Sequence, residues 1–411
     1  MSGSAGLGLE VGGRPRRVTL HFPKAEQYGP AEHEAVARVM ASGLLSEIDC
    51  GPATRLLEER FAALAGTDLA LSFNSGTASL HAAVHAVEVP PGAGVATSPL
   101  TWVSAITAIG HAGSFPVFCD VEPGTANISA AAVADNAGRV GAVLATHAYG
   151  IPVRLDALAR AGLPVIEDCS HAHGAVYRGR PVGSWGAAGC FSLQHAKFVS
   201  GGEGGVLTTG TRRIYERAMT LGHHPRRLAD ELTEPDLLPL AVTGVAYKFR
   251  IHPLAAAIAA AQLLSVPQRM ADSENNLAVL LEALAGHGAP VTAPVLAEGT
   301  VRGWYGTPLW CQPKVTDHLE LRRVLKNEGV PLRDLYEDWL TSPVLHNEDL
   351  FRAFFPAATG YRPPDPAEFP HYYAARRQML VLKIPSVPAD DYMVQVADAI
   401  AAVLATGHHT L

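Results

Sequence analysis

AVLATHAYGIPVRLDALARAGLPVIED (142–168) reads as a strand (142–150), a short helix (155–161) and a second strand (163–168). Strand, helix and strand of these lengths make a right-handed crossover joining two parallel strands. Working outward, LALSF (69–73), VATSP (95–99) and FPVFCDV (115–121) read as further strands. Helical patterns fall between them at 77–86, 103–110 and 130–136, and two more precede them at 32–42 and 52–65. Strands alternating with helices predict an α/β fold, a mostly parallel sheet covered by helices on both faces.

The composition fits an enzyme-sized globular chain. Of 411 residues, 48% are hydrophobic and 17% charged, enough for a sizeable core and too apolar for a disordered chain. The longest apolar run, 254–264, is well short of the ~18 residues of a membrane span. The N-terminal MSGSAGLGLEVGGRPRR lacks the apolar segment of a secretory signal, so a cytoplasmic location is expected. A net charge of −7 argues against nucleic acid as a partner. The five cysteines are scattered and never spaced CxxC, which fits neither a disulfide framework nor a structural zinc site. No metal is expected.

Three segments follow. Residues 1–17 are rich in Gly, Ser and Arg and read as a flexible start; 18–254 is the large domain. Near Arg250 the pattern changes to an Ala-rich helix (253–264) continuing to about 285. A strand (306–312), a helix (316–327), a polar Pro-rich stretch (340–370) and a terminal helix (389–405) come next. The segment 255–411 is expected to be a smaller α+β domain.

Six lysines are outnumbered by arginines, and one, Lys197, sits in CFSLQHAKFVSGGEGG (190–205) between an apolar strand and a glycine-dense turn. Arginine stays protonated, whereas a partly buried lysine can lose its proton and act as a nucleophile. The glycines allow close approach of a bulky ligand, or make an ordinary hairpin turn. They lack the context of a dinucleotide fingerprint or a P-loop. In FNSGTASL (73–80), Ser75 suits a helix N-cap, leaving the Gly76 and Thr77 amides and the Thr77 hydroxyl facing outward as an anion site; a plain capped helix reads the same way. VIED (165–168) ends an apolar strand in carboxylates, and ligands of parallel α/β sheets bind beyond strand C-termini; Asp168 could equally cap a helix. Together, an imine-forming lysine, a phosphate cradle and a carboxylate answer the needs of pyridoxal phosphate.

These motifs resemble the DegT-type sugar and aminocyclitol aminotransferases, which are fold-type I pyridoxal phosphate enzymes. The resemblance spans roughly 18–400 and also rests on SPLTWVSAITAI (98–109), PVFCDVEPGTANI (116–128), HAYG (147–150), VIEDCSHAHGA (165–175) and GVAYKFRIHPLAAAIAAAQL (244–263). It implies that Lys197 forms the Schiff base and shuttles the proton, with pyridoxamine phosphate as the halfway form. Asp168 would pair with the pyridine nitrogen, Trp102 would stack on the ring, and Gly76, Thr77 and Ser192 would hold the phosphate. A homodimer partner would complete the phosphate site from YKFRIHP (247–253). His171 stands where the family usually has Gln reaching the 3′ oxygen of the cofactor, and Lys248 where it often has Asn. His346 in SPVLHNEDLF resembles a position near the substrate opening, and a surface-loop histidine accounts for it as well. His195 is read as a strand residue sharing a face with Lys197, with a packing role.

The activity so implied transfers an amino group from glutamate or glutamine to a keto sugar, often nucleotide-linked, or a ketocyclitol. The high Ala, Gly, Pro and Arg content, with few lysines, fits a GC-rich genome, which taken with the resemblance implies specialised-metabolite biosynthesis. The alternatives are a lyase or synthase of the same family, acting on a cyclic amino ketone as aminohydroxybenzoate synthases do, and a non-catalytic scaffold. Intact Lys197, Asp168 and the SGT motif speak against the scaffold.

Overall fold

A computed structural model of the chain describes residues 10–11, 14–24, 26–245, 247–311, 318–358 and 362–405. Most of the expected flexible start, 1–9 and 12–13, lies outside the described residues; Glu10–Val11 and Arg14–Pro15 pair as short antiparallel strands. Two helices lead into the sheet, α1 (Pro30–Ser42) and α2 (Pro52–Ala65). The sheet strands are β1 (Leu69–Phe73), β2 (Gly94–Thr97), β3 (Pro116–Phe118), β4 (Val140–Thr146), β5 (Val165–Asp168), β6 (Ala188–Ser192) and β7 (Gly205–Thr209). Helices α3 (Gly76–Ala86), α4 (Val103–His111), α5 (Ala130–Asp135) and α6 (Leu155–Ala159) connect the first five strands, and α7 (Arg212–Gly222) follows the last. The spatial order is β1-β7-β6-β5-β4-β2-β3, and only β7 runs antiparallel to its neighbours. The mostly parallel α/β sheet expected from sequence is the sheet observed.

Both sheet faces are apolar because strands buried on two sides carry hydrophobic residues at successive positions. Val143 and Ala145 of β4 join Leu57 and Phe61 of α2 in one core; Ala142 and Leu144 join Leu80, Ala105 and Met219 in the other. In register, Thr146 lies opposite Asp168 and Asp168 opposite Cys190, so β4 and β5 end at one level and β6 runs two residues further to Ser192.

After α8 (Pro225–Glu231), the chain builds α9 (Pro253–Gln262), which packs on α1 and α2, and then α10 (Val266–Gly286). The single helix expected over 253–285 is thus broken. A 3₁₀ turn at Leu263–Ser265 intervenes, and Pro267 falls in the first turn of the new helix, where its missing amide costs nothing. Three antiparallel strands, β8 (Val291–Thr292), β9 (Thr307–Cys311) and β10 (Met379–Leu382), form a second sheet. Strand β10 (MLVL) was not expected. The helix expected over 316–327 is described from its third residue as α11 (His318–Asn327). The Pro-rich stretch is more ordered than read: it holds α12 (Pro343–His346) and α13 (Glu348–Phe354) before α14 (Pro370–Gln378). Each of these three helices starts at or just after a proline or Asn cap, which is why composition alone read as loop. The last helix, α15 (Asp390–Ala405), packs on α10. Among the described residues no helix is long and apolar enough to cross a membrane.

Candidate active site

A cavity of about 410 Å³ opens beyond the C-terminal ends of β1, β5 and β6. Its floor on one side is the start of α3. Ser75 caps that helix, its Oγ accepting from the Ala78 amide at 3.1 Å. The Gly76 and Thr77 amides precede the first intrahelical bond, and their positive end of the helix dipole faces the cavity. Ser192 borders the same spot, and the Thr77 hydroxyl is 2.8 Å from the Ser104 hydroxyl. The approach of strand and helix is close enough to require glycine. A Cβ on Gly76 would meet the Ser192 Cβ at 2.8 Å, and one on Gly205 would meet the Ser75 carbonyl oxygen at 2.3 Å.

Lys197 enters from the turn after β6, where its amide donates to the Gln194 carbonyl at 2.8 Å. Burial lowers the amine from its usual value to about 8; the Asp168 carboxylate opposes that shift and the Arg333 guanidinium adds to it. The buried Asp168 stands at the end of β5, where its Oδ1 accepts from the Ser170 amide at 3.1 Å. Its Oδ2 accepts from the Thr146 hydroxyl at 3.4 Å, and that hydroxyl lies 2.8 Å from Thr101 Oγ1. The neighbouring Glu167 points to the other side and anchors the segment. Its carboxylate accepts from the Gly183, Trp185 and Gly186 amides at 2.8–2.9 Å and from His147 Nε2 at 3.2 Å.

The remaining wall is aromatic. His171 stacks on Tyr305 with centroids 4.1 Å apart and planes 5° from parallel. The Lys197 Nζ and the Arg333 Cζ each lie 4.0 Å from the Tyr305 ring centre. Tyr336 stacks on Tyr149 at 5.4 Å and approaches Trp102, which stands at the mouth and is 55% exposed.

Gly76, Thr77, Trp102, Asp168, His171, Ser192 and Lys197 therefore line one cavity. His346 does not, and Lys248, which the resemblance would bring to a partner's phosphate site, does not line this chain's own cavity. Lys248 is exposed: its carbonyl accepts from Asn74 Nδ2 at 3.4 Å behind the α3 cap, and its side chain is outside the cavity lining. His346 closes the turn at the end of α12, its Nε2 2.6 Å from the Leu340 carbonyl, and is likewise outside the lining. His195 needs correction, because it lies on a turn and not on a strand with Lys197. Its carbonyl accepts from Gln27 Nε2 at 2.8 Å, and its ring faces Gln27 and Tyr28. The sequence reading missed Gln194, Glu203, Tyr305 and Tyr336 as lining residues and Arg333 behind them. Glu203 lay inside the quoted GGEGG segment; nothing local marks Tyr305, Arg333 or Tyr336.

The cavity suits a phosphorylated pyridine aldehyde. A helix N-terminus with hydroxyls at one end takes a phosphate, and a partly neutral lysine beside a buried carboxylate takes the aldehyde and ring nitrogen. A family model described as the DegT/DnrJ/EryC1/StrS aminotransferase family matches residues 26–361. L-glutamine:scyllo-inosose aminotransferase of Streptomyces griseus is 39% identical over 246 residues, covering 57% of this chain and 58% of that relative. The chain thus spans less than two thirds of that relative's length. Among solved structures, the aminotransferase from Psychrobacter cryohalolentis superposes with a TM-score of 0.81 at 24% identity, covering 94% of this chain and all of that one. 3-Amino-5-hydroxybenzoic acid synthase gives 0.80 at 24%, covering 94% and 99%. At such identity both likenesses carry the fold alone.

Proposed function

The chain belongs to the DegT/DnrJ/EryC1/StrS aminotransferase family, and on that premise we propose that it is a pyridoxal phosphate-dependent aminotransferase. It moves an amino group from glutamine or glutamate to a ketocyclitol. The observation that carries the reading is the meeting of Lys197, Asp168 and the first residues of α3 in one cavity. When bound, pyridoxal phosphate supplies an electrophilic carbon and a ring that withdraws electrons.

The chain's own residues do the rest. The Gly76 and Thr77 amides with the Ser192 hydroxyl would hold the phosphate, and the Thr77 hydroxyl, which donates to Ser104, orients that neighbour beside them. With its amine lowered to about 8, Lys197 keeps a usable neutral fraction near neutrality, so it can serve as nucleophile. With the amino donor bound, the same amine would take the proton from the donor's α-carbon as base and hand it, as acid, to the carbon that supplied the electrophile. Asp168, held as an acceptor by Ser170 and Thr146, keeps the proton on the ring nitrogen. Release of a 2-oxo acid ends the first half, and the second half runs the same proton steps in reverse on the ketone.

Glutamine and a ketocyclitol are favoured by the scyllo-inosose activity in the name of the Streptomyces relative. A place in antibiotic-type biosynthesis agrees with it. We also propose a cytoplasmic homodimer. All five cysteines are buried free thiols, which suits a reducing compartment, and the exposed Trp102 at the cavity mouth, with exposed Tyr247 and Lys248 behind the α3 cap, suits cover by a second copy.

Purified protein loaded with pyridoxal phosphate and given glutamine and scyllo-inosose is expected to release the donor's 2-oxo acid in step with aminated cyclitol. Lys197→Ala should cut that turnover by at least about 1000-fold, the upper range of a lost acid–base group. A dehydrated product with no 2-oxo acid, or full turnover in Lys197→Ala, would overturn the reading.

A further inference from the structure

His171 has a protein partner at each ring nitrogen. The Tyr149 amide donates to Nδ1 at 3.3 Å, and Nε2 lies 2.6 Å from the Tyr336 hydroxyl. An amide can only donate, so Nδ1 must be the bare nitrogen. The ring is neutral as well. It is 2% exposed, and burial, reinforced by the Lys197 and Arg333 cations, holds its pKa well below the usual histidine value. In a neutral imidazole with Nδ1 bare, the proton sits on Nε2 and is donated to the Tyr336 oxygen. The phenolic hydrogen of Tyr336 must then point somewhere other than His171.

Little else about Tyr336 is free. Its ring lies on Tyr149 with planes 11° apart, and its carbonyl accepts from Arg376 Nη1 at 2.7 Å. Its hydroxyl has no second protein partner among the described residues. The side chain lines the same cavity as Lys197 and Asp168.

We infer that Tyr336, and not His171, donates the hydrogen bond to an oxygen of the molecule bound in this cavity, and that His171 is the positioning residue that aims it. The inference rests on the proposed function of the cavity. It replaces the direct contact between His171 and the cofactor that the family resemblance implied. The acceptor is an oxygen of the bound molecule, carried either by the pyridine ring or by the cyclitol.

Tyr336→Phe keeps the stacked ring and removes only the donor, so it is the informative variant, with circular dichroism to verify the fold. If the oxygen is the cofactor's, Tyr336→Phe weakens pyridoxal phosphate binding about tenfold and shifts the pH midpoint of its absorbance band. If it is the cyclitol's, binding and band stay put while the ketone half-reaction slows about tenfold and the glutamine half-reaction does not. His171→Ala should reproduce the same signature, and the double variant should add nothing further, because the two act as one unit. A Tyr336→Phe enzyme equal to wild type in all these readouts would overturn the assignment. So would a full additional loss in the double variant, which would mean that His171 touches the bound molecule itself. Wild-type protein that binds no pyridoxal phosphate would overturn the functional reading and this assignment together; the other outcomes bear on Tyr336 alone.

Discussion

Burial in the cavity pulls the Lys197 amine down to about 8, the Asp168 carboxylate resists and Arg333 assists. The signs give opposed predictions. Removing the anion in Asp168→Asn takes away what raises the value, so the amine should titrate lower. Removing the cation in Arg333→Met should make it titrate higher. The rate at which the apo-protein takes up pyridoxal phosphate follows the neutral amine. It should rise with pH through about 8 in the wild type, with its midpoint displaced down and up in the two variants. Midpoints that stay put in both would show that another amine reacts. At this scale the sequence was informative where chemistry needs a rare residue in a marked place. Lys197 stood out among six lysines, and Asp168 ended an apolar strand. Tyr336 and Arg333 stood in PLRDLY, where no periodicity or spacing separates a cavity residue from a surface one.

At the scale of elements, the start of α3 and the junction of β6 with β7 form a single device. The N-cap Ser75 fixes the helix start, and Gly205 lets β7 pass directly under the Ser75–Gly76 peptide, where a Cβ would sit 2.3 Å from a carbonyl oxygen and 2.7 Å from the Gly76 nitrogen. Backbone atoms cannot swing aside as the end of a flexible side chain does. Gly205→Ala should therefore cost about 1–3 kcal/mol of stability and weaken phosphate holding, seen as a lower urea midpoint and looser pyridoxal phosphate binding. A variant unchanged in both would show that the strand can shift without cost. The cap was legible beforehand because Ser followed by Gly-Thr after an apolar strand is a local signal. The break between α9 and α10 and the strand MLVL were less so. Apolar residues continue through the first, and the second is too short to show a period.

At the scale of the molecule, the cavity is closed by two stretches far apart in sequence. Residues 301–305 run beneath the 148–150 turn, where the Gly303 amide donates to the Gly150 carbonyl at 2.8 Å. Gly150 takes a φ of +82°, and a Cβ there would meet the Gly303 carbonyl oxygen at 2.2 Å; one on Gly303 would meet the Ala172 Cα at 2.5 Å. This crossing delivers Tyr305 to the face of His171. Gly303→Ala should push the crossing apart and displace Tyr305. Stability should fall by about 1–3 kcal/mol and turnover more than the remaining cofactor binding, measured by thermal unfolding beside half-reaction rates. Wild-type rates in a folded Gly303→Ala enzyme would mean that Tyr305 does not depend on this crossing.

The sequence alone determined the layered parallel sheet, because strands buried on both faces read as short continuous apolar runs and helices with one apolar face repeat at helical spacing, two patterns that survive without neighbours. It also determined the lysine, the carboxylate and the capped helix, each written in a few adjacent residues. The tertiary structure decided which distant side chains share their cavity. It brought in Tyr305 and Tyr336 with Arg333 behind them, left His346 outside its lining, and gave His171 two protein partners. Those outcomes depend on close backbone crossings and on the direction of single hydrogen bonds, which no local run of residues encodes.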